Sequence, residues 1–196
     1  MFFKNYSPFL LTVLLLQPII AIGQDEDELA SFFGGEEFVS IATGMAQPLS
    51  KAPAVASVIT AKEIAQISAT DIDDILNTIP GLHVSKNTGY APIYSFRGIH
   101  TTTNPQILMQ INGIPLTNIF HGDRNLAWGG MPVEAISRIE IIRGPGSAIY
   151  GADAFAGVIN IITKAPSEVT GTSAGLRYGT SNSKNYWIQT GGSTNG

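Results

Sequence analysis

The run over residues 139–164 constrains this chain more than any other stretch. Ile139-Glu140-Ile141-Ile142-Arg143 reads as a strand, and Gly144-Pro145-Gly146-Ser147 interrupts it. A small, compact segment fills 148–156, and Val158-Ile159-Asn160-Ile161-Ile162-Thr163-Lys164 follows as a second β-branched run. A strand apolar along nearly its whole length is one that is buried, as in the middle of a covered sheet. The chain must therefore supply partners for both strands and cover for the sheet.

The preceding hundred residues provide such material. Residues 55–60 read as a strand, and Thr60 with Glu63 forms a Thr-x-x-Glu capping box that opens a short helix to about Ile67. Thr70-Asp71-Ile72-Asp73-Asp74 starts a second helix, with Ile72, Ile75, Leu76 and Ile79 on one face and Pro80-Gly81 ending it. Short strands over 82–85 and 93–99 flank a polar loop containing Asn87-Thr88-Gly89-Tyr90. Asn112-Gly113, between two apolar arms, is a hairpin signal, because both positions tolerate the positive φ of a type I′ turn. A polar and aromatic loop covers 117–131, and Pro132 opens a helical turn. Strands and short helices without regular alternation predict an α+β domain with a mixed sheet over 54–165.

After Pro166 the pattern changes. Residues 172–180 alternate, with Ala174, Leu176 and Tyr178 on one side and Ser173, Gly175 and Arg177 on the other. A turn at 181–183 leads to a second alternating segment carrying Tyr186, Ile188 and Trp187, the last read as a belt-type aromatic. Repeated segments of about 10 alternating residues mark either transmembrane β-barrel strands or ordinary amphipathic strands.

Composition narrows the function. The formal net charge is −4 and the eleven Lys and Arg are scattered, which is the opposite of a nucleic-acid footprint. There is no cysteine, so disulfide scaffolds, thiolate metal sites and cysteine nucleophiles are excluded. The glycine-rich stretch fails three enzyme motifs on spacing. A phosphate loop would need Lys where Ala152 stands, a dinucleotide fingerprint would need Gly at Ile149, and a nucleophile elbow would need Gly at Pro145. His83, His100 and His121 are at no metal-ligand spacing, and the carboxylates read as caps and ion pairs. No catalytic residue, resident metal or cofactor is predicted.

The N-terminus reads as an address. Lys4, an apolar run over 9–16 and the small residues Ala21 and Gly23 predict a secretory signal peptide over 1–23. Residues 24–53 follow as a mobile N-terminal segment, acidic at 25–28 and extended in character at 36–44.

Arg138-Ile139-Glu140-Ile141-Ile142-Arg143-Gly144-Pro145-Gly146-Ser147-Ala148-Ile149-Tyr150-Gly151, continuing to Lys164, closely resembles the plug-domain signature of TonB-dependent outer-membrane receptors. Ile79-Pro80-Gly81-Leu82, Phe96-Arg97-Gly98-Ile99 and Ile111-Asn112-Gly113-Ile114-Pro115-Leu116 precede it in the family's order. The resemblance implies a signal, a plug over 54–165 and, from 166 to 196, the first strands of an antiparallel β-barrel that is mostly missing. It implies a non-enzymatic receptor in the bacterial outer membrane, its plug facing periplasm and barrel lumen, gating energised uptake of a small molecule. A ferric siderophore is the first expectation, and any metal would come only inside that chelate. Glu37, Phe38, Val39, Ser40, Ile41, Ala42 and Thr43 resemble the TonB box, the extended segment gripped by the TonB energy-coupling protein through added-strand pairing.

By position in the family's outward loops, Tyr90, His100, Asn104, His121, Arg124 and Trp128 are the ligand-contact candidates. Arg97, Gly98, Glu140, Arg143 and Gly144 are expected structural positions, the charged ones in ion pairs within the plug or to the barrel wall. About 30 residues beyond the plug suffice for two to three strands at about 10 residues each, far short of a closed barrel. The chain therefore reads as the front part of a receptor, with a free-standing periplasmic binding module as the alternative.

Overall fold

The computed structural model describes residues 38–41, 47–52, 55–117 and 131–192. Its centre is a five-stranded mixed sheet with strands β3 (Ala56–Thr60), β6 (Ile107–Ile111), β7 (Ile114–Pro115), β8 (Ile136–Arg143) and β9 (Gly157–Thr163). The order across the sheet is β3-β8-β9-β6-β7. β9 pairs antiparallel with β8 and parallel with β6, so the run expected to be buried lies in the middle. The β6–β7 turn has Asn112 at φ 51° and Gly113 at φ 77°, as a type I′ hairpin requires.

The sheet's alternation sorts residues onto two faces. Ile107 and Met109, Ile159 and Ile161, and Ile139 and Ile141 form one face, buried with Ile64 of helix α1 (Ala61–Ile67) and Ile72, Ile75 and Leu76 of helix α2 (Ile72–Leu76). The capping box at α1 is formed: Thr60 Oγ1 accepts from the Glu63 amide and the Glu63 carboxylate accepts from the Thr60 amide. Asp71 caps α2 by accepting from the Asp73 amide. A separate hairpin, β4 (Leu82–Lys86) with β5 (Pro92–Phe96), adds Leu82, Val84, Tyr94 and Phe96 to the same core. Gly157 is required there by close approach, since a Cβ would lie 2.7 Å from the Ile142 carbonyl oxygen and 2.8 Å from Phe96 Cε2.

Leu108, Val158 and Ile142 lie in register on the opposite face, and next to them runs a polar row of Gln110, Asn160 and Glu140. All three polar residues are buried. This face is covered by the partly buried Tyr150 at the end of the short helix α3 (Ser147–Tyr150), by Ala154 just beyond it, and by Val39 and Ile41 from far upstream. Two-residue strands β1 (Phe38–Val39) and β2 (Gln47–Pro48) pair antiparallel there.

Strands β10 (Gly171–Tyr178) and β11 (Lys184–Gly191) form an eight-pair antiparallel hairpin. Leu176, Tyr178, Tyr186 and Ile188 make an exposed apolar stripe on one face. The opposite face turns to the domain. The belt position expected for Trp187 is therefore corrected: Trp187 is opposite Gly175, sharing the inward face with Arg177, and it lines a cavity of about 250 Å³ with Ile64, Val133 and Ile136. Only glycine fits across from the indole, because a Cβ on residue 175 would come within 2.6 Å of Trp187 Nε1.

Candidate functional site: the extended segment on the sheet

The segment expected to be mobile and separate from the domain is packed on it over 38–41. Val39 and Ile41 are buried, inserted over Leu108, Ile142 and Val158. The physical reason is that the one-turn helix α3 and Ala154 cover only part of the sheet's second apolar row. Burying two side chains of this size contributes roughly 1.5–3 kcal/mol each, an upper bound because part of that surface is covered in the unfolded chain.

Between those two side chains, the backbone is held by one carboxylate. Glu140 Oε2 accepts from the Ser40 amide at 3.0 Å and from the Ile41 amide at 2.9 Å. The Ser40 hydroxyl donates to the same carboxylate at 3.1 Å. On the other side Arg138 Nε donates to Glu140 Oε1 at 2.9 Å. A buried charge is tolerable only when paired and hydrogen-bonded, and here both oxygens are used. Tyr150 feels this environment: burial first, and then the Glu140 charge, push its hydroxyl above the usual tyrosine range.

Glu140 is therefore in an ion pair within the domain. Arg143 and Arg97 differ: neither forms an ion pair with a described residue. Arg143 Nη1 instead donates to the Pro80 carbonyl at 3.0 Å, and its Nε is buried with no partner among the described residues. Arg97 is exposed and takes φ 51°, its amide donating to the Gly81 carbonyl. Gly98 and Gly144 take φ 85° and 141°, conformations that side-chained residues rarely adopt, so their role is in the turns.

The ligand-contact candidates separate in the same way. Tyr90 stands 83% exposed at φ 61° on the β4–β5 loop. His100 is exposed in the loop after β5, with Nδ1 against the Gly98 carbonyl oxygen. Asn104 is corrected. It is fully buried, Oδ1 accepting from the Tyr94 amide and Nδ2 donating to the Pro92 carbonyl. With both ends of its amide engaged it braces β5 to the following loop and presents nothing to a ligand. Glu37, Ala42, Thr43, His121, Arg124 and Trp128 lie outside the described residues. Among those described, no group of three or more His, Asp or Glu is placed to hold a metal ion.

Sequence reasoning missed two functional contacts. Arg177 Nη2 on β10 donates to Glu134 Oε1 at 2.9 Å, joining the hairpin to the turn before β8. Arg138, the first residue of the signature but not among the expected ion-pair positions, closes the Glu140 site. The only available signal was its spacing: residues two apart on a strand share a face.

This arrangement, a mixed-sheet domain that carries its own N-terminal strand and rests against a β-hairpin with one apolar outer face, defines a plug with the beginning of a barrel. Residues 48–158 match the TonB-dependent Receptor Plug Domain, and the chain belongs to that family. The family is one of receptors and transporters rather than enzymes. The vitamin B12 transporter BtuB of Vibrio vulnificus is 34% identical over 135 residues, 68% of this chain and 21% of the relative. The pyoverdine outer membrane receptor FpvA of Pseudomonas aeruginosa PAO1 superposes with a TM-score of 0.60 at 23% identity, over 77% of this chain and 21% of that one. A structure of the ferripyoverdine receptor of the outer membrane of Pseudomonas aeruginosa gives a TM-score of 0.55 at 23% identity, over 71% and 18% of the two chains. These two likenesses establish the fold. The chain spans about a fifth of the length of the relatives it matches.

Proposed function

We propose that this chain is the plug-bearing front part of a TonB-dependent receptor in the bacterial outer membrane, gating energised uptake of a metal chelate. The observation that carries this reading is the hairpin. Its inward face is tied to the plug by Arg177 and Glu134, while Leu176, Tyr178, Tyr186 and Ile188 on the other face are left for an apolar surrounding. That is the alternation of a membrane strand packed around a filled lumen. The 36–44 stretch is the segment that the TonB energy-coupling protein would take by main-chain pairing.

Tyr90 and His100, exposed on loops at the ends of β5, offer a stacking face and an imidazole for the ligand. His121, Arg124 and Trp128 complete the proposed contact set. A ferric siderophore is the first ligand reading. A corrinoid is the second, favoured by the identity to the vitamin B12 transporter BtuB. Uptake of radiolabelled ferric siderophores and of cobalamin, measured in cells expressing the complete receptor, tests both. Accumulation that is lost on Val39→Pro, which removes an amide needed for strand addition, supports the reading. Accumulation of neither, or accumulation indifferent to Val39→Pro, overturns it.

A further inference from the structure

We propose that Glu140 is the latch that decides whether the 38–41 strand is available to a partner, a role that rests on the partner reading above. A strand that joins another protein's sheet must offer its backbone amides, and two consecutive amides of this segment, Ser40 and Ile41, are both taken by one carboxylate oxygen. The Ser40 hydroxyl is taken by the same group, and the flanking Val39 and Ile41 side chains are buried in the sheet face. The segment therefore has two mutually exclusive occupations: on the sheet, read by Glu140, or in a partner's sheet edge.

The latch is chemically specific. Glu140 meets donors on both sides, the segment's amides at Oε2 and Arg138 Nε at Oε1. A glutamine there would set its own NH2 against one of those donors whichever way it turned. Glu140→Gln thus cannot serve the segment and Arg138 together, and it weakens the latch while nearly conserving shape. The latch also accounts for a buried charge in the polar row: a carboxylate offers one oxygen to the segment's amides and a second to Arg138, whereas a neutral amide side chain has a single acceptor oxygen.

The test is amide hydrogen exchange in the full chain. Glu140→Gln is expected to speed exchange of the Ser40 and Ile41 amides at least tenfold, with β6, β8 and β9 amides unchanged. Exchange within twofold of the unsubstituted chain overturns the latch. If the sheet amides also quicken, Ser40→Pro decides, because it removes the Ser40 amide and hydroxyl, two of the segment's three donors to Glu140, and leaves the sheet intact. A freed Ile41 amide then supports the latch and a protected one overturns it.

Partner binding supplies the second readout, using the periplasmic domain of the TonB protein and a synthetic peptide of residues 36–44. The domain is expected to bind the Glu140→Gln chain at least tenfold more tightly than the unsubstituted chain, approaching its affinity for the peptide. Equal affinity for the two chains overturns the competition. Failure to bind even the peptide overturns the partner reading alone, and the exchange result then stands for the latch by itself.

Discussion

On one face of the central sheet, Ile139, Ile141, Ile159 and Ile161 are closed over by two helices and a hairpin that follow the strands' own pattern. On the other, Leu108, Val158 and Ile142 are closed over largely by Val39 and Ile41, which arrive from about a hundred residues upstream of β8 and are held by a carboxylate. The first cover is held mainly by apolar packing, and its polar contacts, such as Tyr94 to Asp73, stay within the cover itself. The second combines apolar plugs with hydrogen bonds, and hydrogen bonds can be exchanged for those of another strand. One sheet thus carries a permanent core and a removable one.

The sharpest way to break this comparison is to hollow each face in turn. Ile159→Ala removes packing in the middle of the helix-covered face and is expected to cost 2–5 kcal/mol, read from the midpoint of urea unfolding. Ile41→Ala on the other face is expected to free the segment locally, with hydrogen exchange quickened at 40–41 and the unfolding midpoint of the sheet far less affected. Equal global losses from both would show that the two faces are one core. Gly157→Ala probes the seam between β8 and the Phe96 ring. Its Cβ has no room beside the Ile142 carbonyl, and a loss of about 1–3 kcal/mol is expected in the same unfolding assay.

Asn104→Ala tests the brace near the proposed ligand loops. Removing the amide leaves the Tyr94 amide and Pro92 carbonyl without their partner, at a cost of about 1–3 kcal/mol. Ligand affinity should fall no further than loop disorder requires, whereas Tyr90→Ala should weaken binding with little change in stability, checked by titration calorimetry.

The smallest expected effect is a pH dependence. Asp73 lies under the helix-covered face, bonded by the Tyr94 hydroxyl at 2.7 Å, and burial holds its carboxyl above the usual range. A raised pKa means that the fold binds this proton more readily than the unfolded chain does. Its contribution is present in full below the unfolded carboxylate value and is lost as pH rises through the higher folded value. Asp74, held low chiefly by the Thr70 amide, runs the other way, its contribution lost on acidification. Asp73→Asn should therefore flatten the first trend and Asp74→Asn the second, as measured by unfolding midpoints across the acid range.

What could be read from residues alone follows a physical rule. The capping box at Thr60, the Asn112-Gly113 turn and the alternation of 171–191 were legible because each is decided by neighbours within a few positions. The plug-family signature was legible for its order and length. Asn104 was misjudged because a polar residue in a loop next to His100 looks the same whether it faces a ligand or braces a strand. Trp187 was misjudged because alternation names two faces without saying which is outside.

The sequence by itself determined the elements, their polarity and the family, since local periodicity, turn chemistry and motif order need no third dimension. Only the tertiary structure decided the parallel β6–β9 pairing, the inward turn of Trp187 and the seating of Ser40 and Ile41 on Glu140. Each of those is a contact between residues far apart in the chain, selected by which apolar face lacked a cover and which buried charge lacked donors.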